Sequence, residues 1–212
     1  MTEQIRDLTK LNPVVESLVK IAIRKADKKQ IDVLVVETLR SKDRQMSLYC
    51  EGRTVAECVI NGIPRNIALT YCNSTKRKVT FTLHSQHIQG CAVDLVPLIG
   101  GKAIFSNTNE QSKKVIEIMK SIGFVSGSEF KSVDSPHFEL TDFTGDCLKK
   151  ENSPKRVTVA IQKLLIKKGF YSGSSDGIWG DVTTTGVNKF VKANKGNPND
   201  TLSTKFIEIL FK

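Results

Sequence analysis

Two of the chain's three histidines stand in HSQHIQGCAVD, residues 84–94, and the third stands in DSPHFEL, residues 134–140. A catalytic zinc site takes about three ligands from His, Asp, Glu or Cys and keeps one position open for a water. His87 and Asp94 are too far apart in sequence for one helical face, where i and i+4 meet. A turn at Gly90 feeding a strand that carries Asp94 would bring them together, and Gly90 and Ala92 are small enough for close approach of the chain. His137 is the third candidate ligand. Asp134, in a turn held by Pro136, is within reach of a metal-bound water as general base. Glu139, two residues on in a strand, shares the face of His137 and is placed to orient that ring through its other nitrogen. The residue types and spacing point to metal-assisted hydrolysis, with Zn2+ as the cofactor.

These side chains need a frame. LNPVVESLVKIAIRKA predicts a helix capped by Asn12, with Pro13 at its first position and an apolar stripe through Val14, Leu18, Ile21 and Ala22. IDVLVVETLR is short and β-branched, a buried strand whose end delivers Glu37 and Arg40 to a surface. SKDRQMSLYCEGRT predicts a helix closing at Gly52. KVTFTLHS alternates Val79, Phe81 and Leu83, and CAVDLVP places Ala92, Asp94 and Val96 on one face, so the motif is expected between two strands. NEQSKKVIEIMKSIGF is a second amphipathic helix with Gly123 as C-cap, and SPHFEL a last short strand. Strands and helices that do not alternate strictly imply an α+β domain, a small antiparallel sheet with flanking helices.

The residues now quoted carry a resemblance. SQHIQGCAVD fits the SxHxxGxAxD signature of the VanY-type zinc peptidases, a family of D-alanyl-D-alanine carboxypeptidases and phage L-alanyl-D-glutamate endopeptidases, through Ser85, His87, Gly90, Ala92 and Asp94. DSPHFE fits the family's second signature. The resemblance implies His87, Asp94 and His137 as zinc ligands, Asp134 as catalytic base, and Ser85 and Glu139 as supports behind the ligands. ETLRSKDRQMSLYCEGRT is similar to the family block in which an arginine contacts substrate. By position that arginine is Arg40, with Gln45 and Tyr49 as further substrate-contact candidates and Gly52 and Arg53 completing the block. The likeness spans roughly residues 11–141 and departs in two places: the stretch from Gly52 to Ser85 is longer than in many members, and SGSEF at 126–130 replaces a Gly-Gly-acid-Trp run.

The remaining features concern partners. CLKKENSPKR reads as a linker, giving a boundary between a domain over residues 1–150 and a smaller one over 151–212. Beyond it VTVAIQKLLIKKGF, TTTGVNKFVKAN and TLSTKFIEILF predict three short helices. With Gln162, Leu165, Gly169, Asp176, Gly177, Trp179, Thr183 and Phe190 in place, this part resembles the three-helix peptidoglycan-binding domain. The net charge of +10 divides equally, with 22 basic against 17 acidic residues up to 150 and 10 against 5 after it. A basic surface suits a polyanionic partner such as bacterial cell wall, and no nucleic-acid recognition motif is visible. The five cysteines form no CxxC pair, so neither a disulfide framework nor a cysteine zinc site is expected from spacing. Cys91 is expected as a core residue, and His84 as a packing or solvent-facing one. The apolar runs are too short for a membrane span, and the first fifteen residues lack the apolar segment of a secretory signal.

Together these expectations describe a monomeric phage endolysin: a zinc metallopeptidase made in the host cytoplasm, released to the cell wall through holin pores, and cutting the L-alanyl-D-glutamate amide of peptidoglycan. The alternatives are a D,D-carboxypeptidase of the same family and a non-catalytic wall-binding protein.

Overall fold

The computed structural model describes residues 3–212 and has a mixed α+β architecture. Its central sheet is antiparallel, in the order β1 (Val33–Glu37), β2 (Ala92–Ile99), β5 (His137–Glu139), β4 (Val125–Ser126), with β3 (Lys102–Ala103) pairing the far end of β2. Helix α1 (Pro13–Asp27) starts where expected: the Asn12 carboxamide oxygen accepts from Val14 N–H, and its Nδ2 donates to Gly145 O, tying the helix start to a distant loop. Helix α5 (Glu110–Ile122) ends at Gly123 in a left-handed conformation. Helix α5 lays its apolar stripe against β2 and β4 and packs on α1, with Val14, Leu18, Val115 and Met119 almost wholly buried.

Between β1 and β2 lie three short helices: α2 (Lys42–Cys50), α3 (Val55–Ile60) and α4 (Arg65–Tyr71). They enclose a separate small core of Tyr49, Cys50, Cys58, Ile63 and Ala68. The strand expected at KVTFTLHS is absent: residues 77–84 run in an irregular path with Val79 and Phe81 more than half exposed. An alternating sequence forms a strand only where a partner edge receives its hydrogen bonds, and here the Gln45 carboxamide holds the segment at Thr82 O instead.

The expected C-terminal helices are present as α6 (Lys155–Lys167), α7 (Asp181–Ala193) and α8 (Thr204–Leu210). Trp179 and Phe190 are buried inside this part, as core rather than as platforms. The stretch expected as a linker is structured: β6 (Cys147–Leu148) pairs with β7 (Leu202–Ser203), and Asn152 Nδ2 donates to Thr144 O and Cys147 O. Helix α8 packs on α1 and α6 on α5, so Leu18, Ile122, Val157 and Ile207 share one continuous core. Glu129, from the divergent SGSEF stretch, pairs with both Lys120 and Arg156 across the same junction.

Gly123 is the tightest point of that junction, because a Cβ there would fall 2.6 Å from Val157 Cα in addition to the strain of φ +117°. Gly123→Ala should cost at least ~2 kcal/mol and lower the melting temperature by about 4–8 °C in a thermal unfolding scan.

Candidate metal centre

The sheet register builds the site. Glu37 of β1 and His137 of β5 both pair with Asp94 of β2, so three polar side chains stand in one row across three strands. A bulge between Val35 and Glu37 re-aims the end of β1 toward that row. The fourth member comes from a single 3-10 turn, Gln86–Gln89, that enters β2. Ser85 Oγ accepts from His87 N–H at its start, and Gly90, at φ +67°, ends it. A Cβ on Gly90 would meet Asn12 N at 3.0 Å and Lys10 O at 3.2 Å, so the position requires glycine on two counts.

His87 is 1 % exposed and its ring is oriented by one hydrogen bond: Nδ1–H donates to Thr38 O at 2.6 Å. Its Nε2 therefore carries the free lone pair. That atom lies 3.1 Å from Asp94 Oδ1 and 3.2 Å from His137 Nδ1, and His137 Nδ1 lies 3.3 Å from Asp94 Oδ1. On the far side of the second ring, His137 Nε2–H donates to Glu139 Oε2 at 2.9 Å, while Glu139 Oε1 accepts from Thr141. Two imidazole nitrogens and one carboxylate oxygen thus converge, each held from behind.

This triangle is built around positive charge. Burial opposes ionisation of His137, yet Asp94 and Glu139 raise its pKa to about 9; burial likewise opposes ionisation of Asp94, yet the two histidines hold its carboxyl well below the usual range. Lone pairs drawn this close repel unless a cation sits among them, and a His2Asp set with both outer nitrogens already paired matches the donors that zinc takes in hydrolytic sites.

Asp134 lines the cleft beside this triangle, at its mouth. The turn that presents it is clamped, with Asp134 N–H donating to Gly127 O and Asp134 O accepting from His137 N–H. Gly127 admits no side chain, since a Cβ would come within 2.3 Å of Asp134 O. Partial desolvation and the Asp94 charge raise the Asp134 pKa.

Arg40 reaches the same cleft from the other side, but not as a free surface residue. Its Nε donates to Glu37 Oε2 at 3.1 Å and its Nη1 to Gln45 Oε1 at 2.8 Å, while its Nη2 sits 3.7 Å from Asp94 Oδ2. Glu37, expected at a surface, is 2 % exposed and gripped by Arg44 as well, through Nε at 2.6 Å. Burial alone would raise its pKa, but the two guanidinium groups outweigh that and lower it. Gln45 and Tyr49, expected as substrate contacts, lie behind the cleft surface instead. The Gln45 carboxamide is used up between Arg40 and Thr82 O, and the Tyr49 ring is covered by Arg53 at 3.7 Å. Sequence spacing signalled neither the burial of Glu37 beneath Arg40 nor Thr38, whose contribution is a carbonyl that any residue type supplies.

The cleft has a volume of about 860 Å³, and its walls carry Arg44, Arg77, Lys78, Phe81, His84 and Phe130. Residues 79–140, less than a third of the chain, match the family model Peptidase_M15_4, described as D-alanyl-D-alanine carboxypeptidase. The matched segment contains His87, Asp94, Asp134, His137 and Glu139 and leaves out Glu37 and Arg40. Among solved structures, the chain is similar to the Serratia marcescens L-Ala D-Glu endopeptidase ChiX, at 25 % identity and a TM-score of 0.39, over 66 % of this chain and 92 % of that one. It is similar to the LD-carboxypeptidase LdcB, at 17 % identity and a TM-score of 0.45, over 66 % and 62 %. A variant of the vancomycin-resistance D,D-pentapeptidase VanY in complex with Zn(II) matches at 18 % identity and a TM-score of 0.36, over 59 % and 69 %.

Two outcomes follow from the geometry. Glu139→Ala, which frees the outer nitrogen of His137, should weaken Zn2+ binding about 10–100-fold in competition with a chromogenic chelator. Glu37→Gln removes the buried charge that holds two partly buried guanidinium groups and should cost about 3 kcal/mol in a urea titration.

Proposed function

We propose that the protein is a zinc-dependent peptidase that hydrolyses an amide bond in the stem peptide of bacterial peptidoglycan. The observation that carries this reading is the convergence of His87 Nε2, Asp94 Oδ1 and His137 Nδ1 at the floor of a cleft that also presents Asp134. A zinc ion held by these three side chains would supply Lewis acidity, lowering the pKa of a bound water and polarising a carbonyl.

The chain's own groups do the rest. Asp134 accepts the proton of the attacking water and returns it to the leaving amine, a task for which a carboxylate of raised pKa is better matched than an ordinary one. Arg40 has three of its N–H groups engaged by Glu37 and Gln45. The remainder of its five donors are available to a substrate carbonyl or carboxylate, and the Glu37 anchor keeps the fork from swinging out. Arg44, Arg77 and Lys78 give the cleft a positive wall, which suits the free carboxylates of a stem peptide.

The L-alanyl-D-glutamate bond is our preferred target, by the resemblance of SQHIQGCAVD and DSPHFE to the endopeptidases. The description of the matching family favours a second reading, a D,D-carboxypeptidase. We extend the proposal to a phage endolysin acting at the cell wall as a monomer, supported by a basic C-terminal helical part that resembles a wall-binding module. Among the described residues no helix is long and apolar enough to cross a membrane.

Mass spectrometry of fragments released from purified peptidoglycan tests the reading. New D-glutamate amino termini are expected; free D-alanine would assign the carboxypeptidase, and no metal-dependent cleavage at all would sink the hydrolase. Asp134→Asn should lower kcat by about 10²–10⁴ while metal stoichiometry stays unchanged. Because the Asp134 carboxylate is the active form, wild-type activity should fall as pH drops through a pKa above that of an ordinary aspartate, and this acidic limb should vanish from any residual activity of the variant.

A further inference from the structure

The three helices between β1 and β2 bring together cysteines that sequence spacing keeps apart. Cys50 ends α2, Cys58 lies in α3, and Cys72 caps the C-terminus of α4, and their Sγ atoms all lie within 4.8 Å of one another. Cys50 and Cys58 have no exposure at all, while Cys72 is half-buried and leaves an edge open to solvent. We propose that these cysteines form a second metal site, distinct from the His87, Asp94, His137 centre, that takes zinc or another thiophilic divalent cation through three thiolates.

Three observations support the assignment. The first is the setting of the thiols: they sit in a satellite core of Tyr49, Cys50, Cys58, Ile63 and Ala68, with Met46, Ile67 and Tyr71 packed against it and Ile60 and Leu69 left mostly exposed. A metal shared by α2, α3 and α4 would add a cross-link to this small core. The second is geometric, since sulfurs about 2.3 Å from one tetrahedral zinc stand about 3.8 Å apart, within a small side-chain adjustment of the observed cluster. The third is electrostatic. Binding one Zn2+ displaces three thiol protons and leaves the site with a single negative charge. Beside it Arg53, 5 % exposed, stacks on Tyr49 and donates to Tyr49 O, and makes no ion pair with a carboxylate among the described residues. Its charge acts on Cys58 and on the exposed Glu57 carboxylate, and a metal–thiolate anion would give it a buried counter-charge as well.

The staple would act on the cleft. Cys72 leads directly into residues 73–82, whose path is fixed at Gly52 N–H to Asn73 O and at Gln45 to Thr82 O, and which supply Arg77, Lys78 and Phe81 to the cleft wall. A metal bound by Cys50, Cys58 and Cys72 therefore positions that wall without touching substrate.

Cobalt reports on the two sites separately, because only thiolate ligands give an intense near-ultraviolet charge-transfer band. The full chain, purified under reductant and stripped of metal, is expected to bind about two Co2+ and to show that band. His87→Ala should keep the band and bind about one Co2+, while Cys72→Ser, at the open edge, should also bind about one and lose the band. A wild-type chain that binds a single Co2+ without the band overturns the proposal. So does a disulfide between any two of these cysteines in freshly isolated protein.

Discussion

Three electron-rich atoms, two imidazole nitrogens and one carboxylate oxygen, are held within 3.3 Å of one another in the protein interior. Left to themselves such groups would move apart or take up protons, because nothing in the low-dielectric surroundings screens their repulsion. The fold blocks the first response, while the second shows in the raised pKa of His137. His87 is fixed by Thr38 O, His137 by Glu139, and Asp94 by its place on the central strand between β1 and β5. The supports come from separate parts of the chain, so the site exists only when the sheet is in register.

That dependence explains why Glu37 is buried. The carboxylate stands in the same cross-strand row as Asp94, and alone it would add to the repulsion. Arg40 and Arg44 turn it into the anchor of a positive cluster facing the triangle. The arrangement fixes Arg40 within the cleft at a defined angle, which a surface arginine with several free rotamers would not achieve. Gln45 extends the same network to Thr82 O and so links α2 to the irregular segment that walls the cleft.

The C-terminal helices enter the same economy of support. They lie on α1 and on α5, the helix that packs on β2 and β4, and the Lys120, Glu129 and Arg156 cluster ties α6 to the turn preceding Asp134. Stability and cleft geometry are therefore linked across the junction at Gly123 and Val157.

Local signals were sufficient for much of this. Caps and apolar periodicity located α1, α5 and the three C-terminal helices, because a helix is determined by contacts a few residues apart. The motif residues His87, Asp94, Asp134, His137 and Glu139 were legible because their chemistry is rare in a chain with three histidines. What sequence could not decide was what faces what. The alternation of Val79, Phe81 and Leu83 suggested a strand, but no partner edge is available there. Gln45 and Tyr49 were expected as substrate contacts, but the Gln45 carboxamide is taken up by Arg40 and Thr82 and the Tyr49 ring is covered by Arg53. Three cysteines spread over residues 50–72 read as unrelated thiols until α2, α3 and α4 packed together. Residue type and local period are properties of the chain itself, whereas burial, register and pairing arise only from contacts between segments distant in sequence, and those the tertiary structure alone decides.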